Sequence, residues 1–175
     1  AQSLGTLLDN NAFRITVGLR LGLDICAPHI CRCGSQVNSK DRHGLKCRNK
    51  ADRLATHAGL NNIIKRALVS ADVPAKLEPV GLVRDDGKRV DGMSLIPWTR
   101  GSILIWDATV TDTLAPSNVH LSSKKAGSAA DNKARRKEVK YRSLLTQNYY
   151  FVPFAVETMG SWSSDAILFF NTLGR

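Results

Sequence analysis

Residues Arg89 to Asp112 read R-V-D-G-M-S-L-I-P-W-T-R-G-S-I-L-I-W-D-A-T-V-T-D. Met93, Leu95 and Ile96 form a short apolar run, and Pro97 with Thr99-Arg100-Gly101 supplies a break. Ser102 to Val110 is rich in β-branched and aromatic residues, so the pattern predicts two strands joined by a turn. Each strand carries one acid where an apolar residue is expected: Asp91 near the start of the first and Asp107 late in the second. In a hairpin those two ends lie side by side. At ~5 Å and an effective dielectric of about 20, the two carboxylates repel by roughly 3 kcal/mol. Folding tolerates that cost when something binds both, and a hard divalent cation is the natural partner. Taken singly, Asp91 reads as a turn residue before Gly92 and Asp107 as a strand-end acid facing water. The pairing singles them out.

Upstream, from Ala51, the residues Leu54, His57, Ala58, Leu60, Ile63, Ile64, Ala67 and Leu68 recur at three- and four-residue steps, predicting a helix to Val69. His57 and Asn61 stand one turn apart and are able to face one site, although His57 alone reads as an ordinary polar helix residue. Val73-Pro74 breaks the helix, and Lys76 to Val80 reads as a short strand in which Glu78, before a proline, is held extended. Glu78 is a third acid able to face the Asp91/Asp107 pair. Asp85-Asp86-Gly87-Lys88 is a turn into Arg89.

Downstream, Ala115 to Asp131 is rich in Ser, Ala, Pro and Gly and reads as a loop. It leads into a basic helix, N-K-A-R-R-K-E-V-K-Y-R-S-L-L, with Lys133, Lys137, Lys140 and Tyr141 on one face. That face is either solvated, laid along a nucleic-acid backbone, or has one lysine turned inward beside Tyr141. Phe151 to Val156 is a final strand ending at Glu157, and Asp165 to Leu173 is a closing helix. The order is α–β–β–β–α–β.

The 175 residues suffice for one domain with a true core plus a small appendage. No stretch approaches the roughly 20 apolar residues of a membrane helix, and no signal-peptide pattern opens the chain. Ala1 stands where an initiator Met would, which suggests a piece of something longer. The net charge of +10 is uneven: residues 1–50 hold eight Lys/Arg against three acids, residues 51–115 eight against eight, and residues 116–150 eight against two. Basic flanks around a neutral, acid-bearing centre suit a nucleic-acid enzyme whose flanks grip phosphates while central acids hold metal. The plainer alternative is a solvated basic surface.

Leu4 to Leu23 mixes apolar and polar positions at near-helical spacing and reads as one or two helices, the remnant of an upstream domain over residues 1–24. All four cysteines fall between Cys26 and Cys47, a clustering that favours metal binding in a reducing compartment over a disulfide framework. Cys31-x-Cys33, then His43 and Cys47, supply four soft ligands from two short clusters, a Cys₃His set for structural zinc in a knuckle over residues 25–50. Cys26 and His29 are alternative ligands. Arg32, Lys40, Arg42 and Lys46 lie among them, so the knuckle is also able to touch phosphate.

The order of elements, with acids on the second and third strands, resembles the PD-(D/E)XK restriction-endonuclease-like fold over residues 51–175. Two departures stand out: Val90-Asp91 where the motif has Pro-Asp, and Asp107-Ala108-Thr109 where its lysine belongs. One group places that lysine on the following helix, namely the restriction-like endonucleases at the C-terminus of non-LTR retrotransposon reverse transcriptases. There a Cys/His knuckle precedes the nuclease, W/L-D-x-T-V closes the third strand and K-x-x-K-Y follows. This chain has C-R-C-G…H-G-L-K-C, W-D-A-T-V at Trp106–Val110, K-E-V-K-Y at Lys137–Tyr141 and L-E-P-V-G-L at Leu77–Leu82.

The resemblance spans about residues 25 to 160. It implies a nuclear, Mg²⁺- or Mn²⁺-dependent DNA endonuclease that nicks a target for reverse transcription, as part of a longer polyprotein acting on DNA with the element's RNA as a second partner. Asp91 and Asp107, with Glu78 or Glu157 and the carbonyl of Ala108, then hold magnesium. Lys140, or Lys137 one turn earlier, is the catalytic lysine, and Lys133, Arg135, Arg136, Arg142 and Arg32 bind nucleic acid. The rival readings are a decayed nuclease that binds without cutting and a Holliday-junction or repair nuclease of the same fold.

Overall fold

The computed structural model describes residues 7–47, 49, 53–82, 87, 89–145 and 148–174. Most of the turn expected at Asp85-Asp86-Gly87-Lys88 lies outside the described residues. The chain divides into two compact units, Ala1–Ala51 and Asp52–Arg175. Among the described residues, no helix is long and apolar enough to cross a membrane.

In the first unit, helix α1 (Asn10–Leu21) is capped at its start by Asp9, whose carboxylate accepts the Ala12 N–H at 2.8 Å. Two-residue strands β1 (His29–Ile30) and β2 (Gln36–Val37) pair antiparallel, and the short helix α2 (Arg42–Lys46) follows. The segment after α1 is stitched to the strand pair: Ile25 N–H donates to the Ser39 carbonyl at 2.8 Å, and Lys40 Nζ to the Gly22 carbonyl at 2.8 Å. Helix α1 thus shares a unit with the cysteine cluster.

The second unit runs α3 (Arg53–Ser70), β3 (Ala75–Leu77), β4 (Gly92–Thr99), β5 (Ser102–Thr111), α4 (Val119–Ser122), α5 (Ser128–Leu145), β6 (Tyr149–Glu157) and α6 (Ser164–Leu173). The sheet order is β3-β4-β5-β6, with the first two pairings antiparallel and β5–β6 parallel. It is an α/β unit with a mixed four-stranded sheet flanked by helices. Strand alternation sorts the two faces. Leu104, Trp106 and Ala108 of β5, with Val152 and Phe154 of β6, pack against Leu60, Ile64 and Leu68 of α3 and Ala166 and Phe169 of α6. On the opposite face Ile105 packs with Val90 and Tyr141, and Ala155 packs with Ala130 and Ala134 of α5. Asp107 falls between Trp106 and Ala108 and therefore points at α5.

The β4–β5 hairpin turns in two residues, Arg100 and Gly101, with φ of 48° and 78°. Positive φ at both positions gives the twist that a tight hairpin needs. Pro97 does not end the strand as expected. It lies inside β4, at an irregularity in the pairing to β5, and past Ser94, where pairing with β3 stops. Its missing N–H therefore costs no ladder bond to β3.

Three further expectations are corrected. The third acid's strand is Ala75–Leu77 rather than Lys76–Val80, and Glu78 is not extended but turns with φ of 47°. The Ala115–Asp131 segment is not all loop, because it contains α4 and the first turn of α5. Buried Glu157 explains that early start, since its Oε1 accepts the Ala129 and Ala130 N–H groups at 2.9 and 3.4 Å. A carboxylate there satisfies orphan amides and complements the helix dipole.

Gly92 is the tight point of the sheet. It pairs with Trp106, and a Cβ added there would lie 2.5 Å from Cη2 of that indole and closer still to Cζ2 and Cε2. Trp106 is fully buried and has no room to yield. Gly92→Ala is therefore expected to destabilise this unit by about 1–3 kcal/mol, roughly 3–10 °C in Tm. A melting temperature unchanged by the substitution would show that the indole is not held over the Gly92 backbone.

Candidate metal and acid–lysine sites

The Cys31, Cys33, His43 and Cys47 ligand atoms lie within 4.8 Å of one another. Local backbone geometry brings them together. The Cys31 N–H donates to the Ser35 carbonyl at 2.9 Å and the Gly34 N–H to the Cys31 carbonyl at 2.8 Å, closing the β1–β2 turn around Cys33. Helix α2 then delivers His43, and the Cys47 N–H donates to the His43 carbonyl at 2.9 Å. Cys33 Sγ is 3.2 Å from His43 Nε2, and Cys31 Sγ is 3.7 Å from Cys47 Sγ. Hydrogen bonds from the Ser35 side chain and backbone hold the Cys33 thiol down to about 6, which favours the thiolate that metals bind. This Cys₃His cluster is able to hold a structural metal such as zinc. The alternative ligands are placed elsewhere: Cys26 Sγ donates to the Asn38 carbonyl at 3.4 Å, and His29 Nδ1 lies 3.0 Å from the Ala27 carbonyl. Arg32 is exposed beside the cluster.

In the second unit, Asp91 immediately precedes β4, and its N–H donates to the Trp106 carbonyl at 2.9 Å. That pairing sets it beside Asp107, as the hairpin reading requires. Asp91 Oδ2 accepts the Ala108 N–H at 2.6 Å and lies 3.1 Å from His57 Nε2. Burial raises the Asp91 carboxyl above its ordinary value and the Asp107 charge adds to the rise, while the Ala108 N–H, His57 and Asn61 oppose it.

Asp107, buried at 5% exposure, is met from α5 on both oxygens, by Lys137 Nζ at Oδ1 and by the Tyr141 hydroxyl at Oδ2. Lys133, one turn before Lys137, has its ammonium pushed down by burial and by neighbouring Lys137, Lys140 and Arg136, with Asp107 pulling it back up.

Of the two lysine candidates, Lys137 reaches Asp107 and Lys140 is exposed. Helix geometry explains the difference. Buried Tyr141 defines the inward face, and Lys137, four residues back, lies about 40° from it, whereas Lys140 lies about 100° away. The same reasoning from Tyr141 would have selected Lys137 in the sequence. Arg135, Arg136 and Arg142 are exposed on α5.

The two remaining acids do not join the pair. Glu157 sits opposite Thr111 in the parallel ladder, four residues or about 13 Å along from Asp107, and is occupied as the α5 cap. The Glu78 N–H donates to the Asp91 carbonyl at 2.8 Å, so the backbones adjoin, but its side chain is exposed. Among the described residues, the cysteine set is the group of three or more His, Cys, Asp or Glu side chains with ligand atoms this close. Asp91 and Asp107 are a pair, and the Ala108 carbonyl shares with Asp91 Oδ2 a contact to His57 Nε2, at 3.2 and 3.1 Å.

A polar chain also links the buried Trp106 of β5 to α3 and back to β5 at the partly exposed His57. Trp106 Nε1–H donates to Asn61 Oδ1 at 3.0 Å, Asn61 Nδ2 lies 3.3 Å from His57 Nδ1, and His57 Nε2 lies 3.2 Å from the Ala108 carbonyl. The one-turn spacing of His57 and Asn61 was its only sequence signal.

No family model matches this chain, and no curated protein matches it.

Proposed function

We propose that the second unit is a PD-(D/E)XK-type, metal-dependent DNA endonuclease, and that the chain serves a retroelement by nicking target DNA to prime reverse transcription in the nucleus. One observation carries the nuclease reading: β4 and β5 bring Asp91 and Asp107 together under a lysine delivered by the following helix. The donor set suits Mg²⁺ or Mn²⁺, because two carboxylates and the Ala108 carbonyl are hard oxygens and the Asp107 charge still pushes the Asp91 carboxyl up, a repulsion that a divalent ion would relieve. Asp91 and Asp107 are the residues that would hold it, with the carbonyl of Ala108. When bound, such an ion supplies Lewis acidity toward a phosphate oxygen and activates water near neutral pH.

Lys137 then stands beside Asp107, where an ammonium stabilises charge developing on a phosphate. Tyr141 fixes the orientation of the Asp107 carboxylate. Lys133, Arg135, Arg136 and Arg142, on the same helix, hold the DNA backbone without reading bases. The cysteine knuckle with Arg32 is a separate contact to DNA or to the element's RNA.

The second reading is a binding module that no longer cuts. It is favoured by Val90 in place of proline, buried at 1% exposure, and by Thr109 where the usual lysine stands. Incubation of the protein with supercoiled DNA and Mg²⁺ or Mn²⁺ separates the two. Nicked circles support the enzyme, and uncut DNA with retained binding supports the module. Either reading predicts a steep salt dependence. With six to eight phosphate contacts, log K is expected to fall against log salt with a slope of about −5 to −7. A slope near −1 would remove the basic surface from both.

A further inference from the structure

His57 contacts two of the oxygens that the nuclease reading gives to the cation: Asp91 Oδ2 at 3.1 Å and the Ala108 carbonyl at 3.2 Å. A carbonyl oxygen only accepts, so Nε2 carries the hydrogen. The other side of the ring is set from behind. An indole N–H only donates, so Trp106 requires the carbonyl oxygen of Asn61 to face it, which leaves the Asn61 amide nitrogen to donate to His57 Nδ1. Trp106 is fully buried and Asn61 is 6% exposed, so neither is free to reverse this order. With Nδ1 engaged as acceptor, His57 presents an N–H and no lone pair at Nε2. It is built as a donor, not as a metal ligand.

We propose that His57 is a displaceable placeholder for the divalent cation, bridging Asp91 and the Ala108 carbonyl through Nε2–H and rotating away when the cation takes those oxygens. This inference rests on the metal reading of the acid pair. The His57 side chain is 45% exposed, so rotation carries it into water without opening the core. The Trp106–Asn61 chain acts as the spring of the device, since it orients the ring whenever the oxygens are free. Residues Asn61 and Trp106 are positioning residues here: Trp106 acts through Asn61, and Asn61 orients the His57 ring while its side chain also supports the Asp91 carboxylate.

The test is Mn²⁺ affinity, measured by calorimetry on the zinc-loaded protein. Wild type is expected to bind Mn²⁺ at a site that Asp107→Asn removes. His57→Ala is expected to tighten that site by about tenfold, because a hydrogen bond to a charged acceptor no longer competes. If His57 were a ligand, the same substitution would weaken the site instead, and weaker or unchanged affinity overturns the placeholder while leaving the acid-pair site standing. Absence of an Asp107-dependent Mn²⁺ site in wild type overturns the metal reading itself and the placeholder with it.

A second measurement needs no variant. Long-range ¹H–¹⁵N spectra of the His57 ring are expected to show the Nε2–H form without Mg²⁺ and an averaged, solvent-like ring at saturation. An Nε2–H signature that persists unchanged at saturating Mg²⁺ overturns the proposal.

Discussion

Asp107→Asn is expected to abolish Mg²⁺-dependent nicking while DNA binding is kept or tightened. The substitution preserves the shape of a side chain that is 5% exposed and still offers an oxygen to the Tyr141 hydroxyl. It removes the charge that a hard cation requires and that Lys137 neutralises. Loss of one negative charge beside the DNA backbone lowers repulsion, and the basic helix is untouched.

Lys137→Ala is expected to lower cleavage by about 10²–10³-fold, the order seen when one preorganised stabilising group is removed. Lys140→Ala is the control and is expected to cost only modest affinity, since that side chain is exposed. Gel assays of supercoiled DNA, with binding followed separately by filter retention or anisotropy, read both effects. Cleavage lost in Lys140→Ala and kept in Lys137→Ala would reverse the assignment. Cleavage kept in Asp107→Asn would remove the acid pair from the chemistry altogether.

The second large effect concerns the cysteine cluster. Structural zinc contributes roughly 10–16 kcal/mol of binding free energy in small metal-dependent folds. The first unit has little else to hold its ligand-bearing part, where two-residue strands and a five-residue helix bury few side chains apart from Val37 and Cys47. Chelation is therefore expected to unfold residues 25–50. The second unit keeps its structure because Trp106, Phe154, Ile64, Leu68 and Leu104 form a core of their own. Elemental analysis of protein purified without added metal is expected to give one zinc per chain, and hydrogen exchange before and after chelation locates the change. Protein lacking stoichiometric metal, with residues 25–50 still protected from exchange, would rule out a structural metal there.

The sequence alone determined whatever depends on neighbours along the chain. The 53–70 helix is written in three- and four-residue steps, the β4–β5 hairpin in β-branched runs around Arg100-Gly101, and the metal cluster in a Cys/His spacing that one turn and one short helix can close. The placement of Asp91 beside Asp107 also followed, because a hairpin is a local structure.

Only the tertiary structure decided the rest, and the reasons are rotation and register. Which lysine meets Asp107 depends on how α5 is turned, and that is set by Ala130, Ala134 and Tyr141 docking on the sheet rather than by the Lys137–Tyr141 run itself. Glu157 became a helix cap because the parallel ladder sets it opposite Thr111, away from Asp107, a register that no local pattern specifies. Glu78 turned to positive φ although a following proline favours extended backbone. His57 reaches a carbonyl 51 residues away, through a chain whose Trp106–Asn61 link spans 45 residues. Such contacts exist only once α3 has packed on the sheet, because a single polar side chain on a helix carries no mark of the atom it will meet.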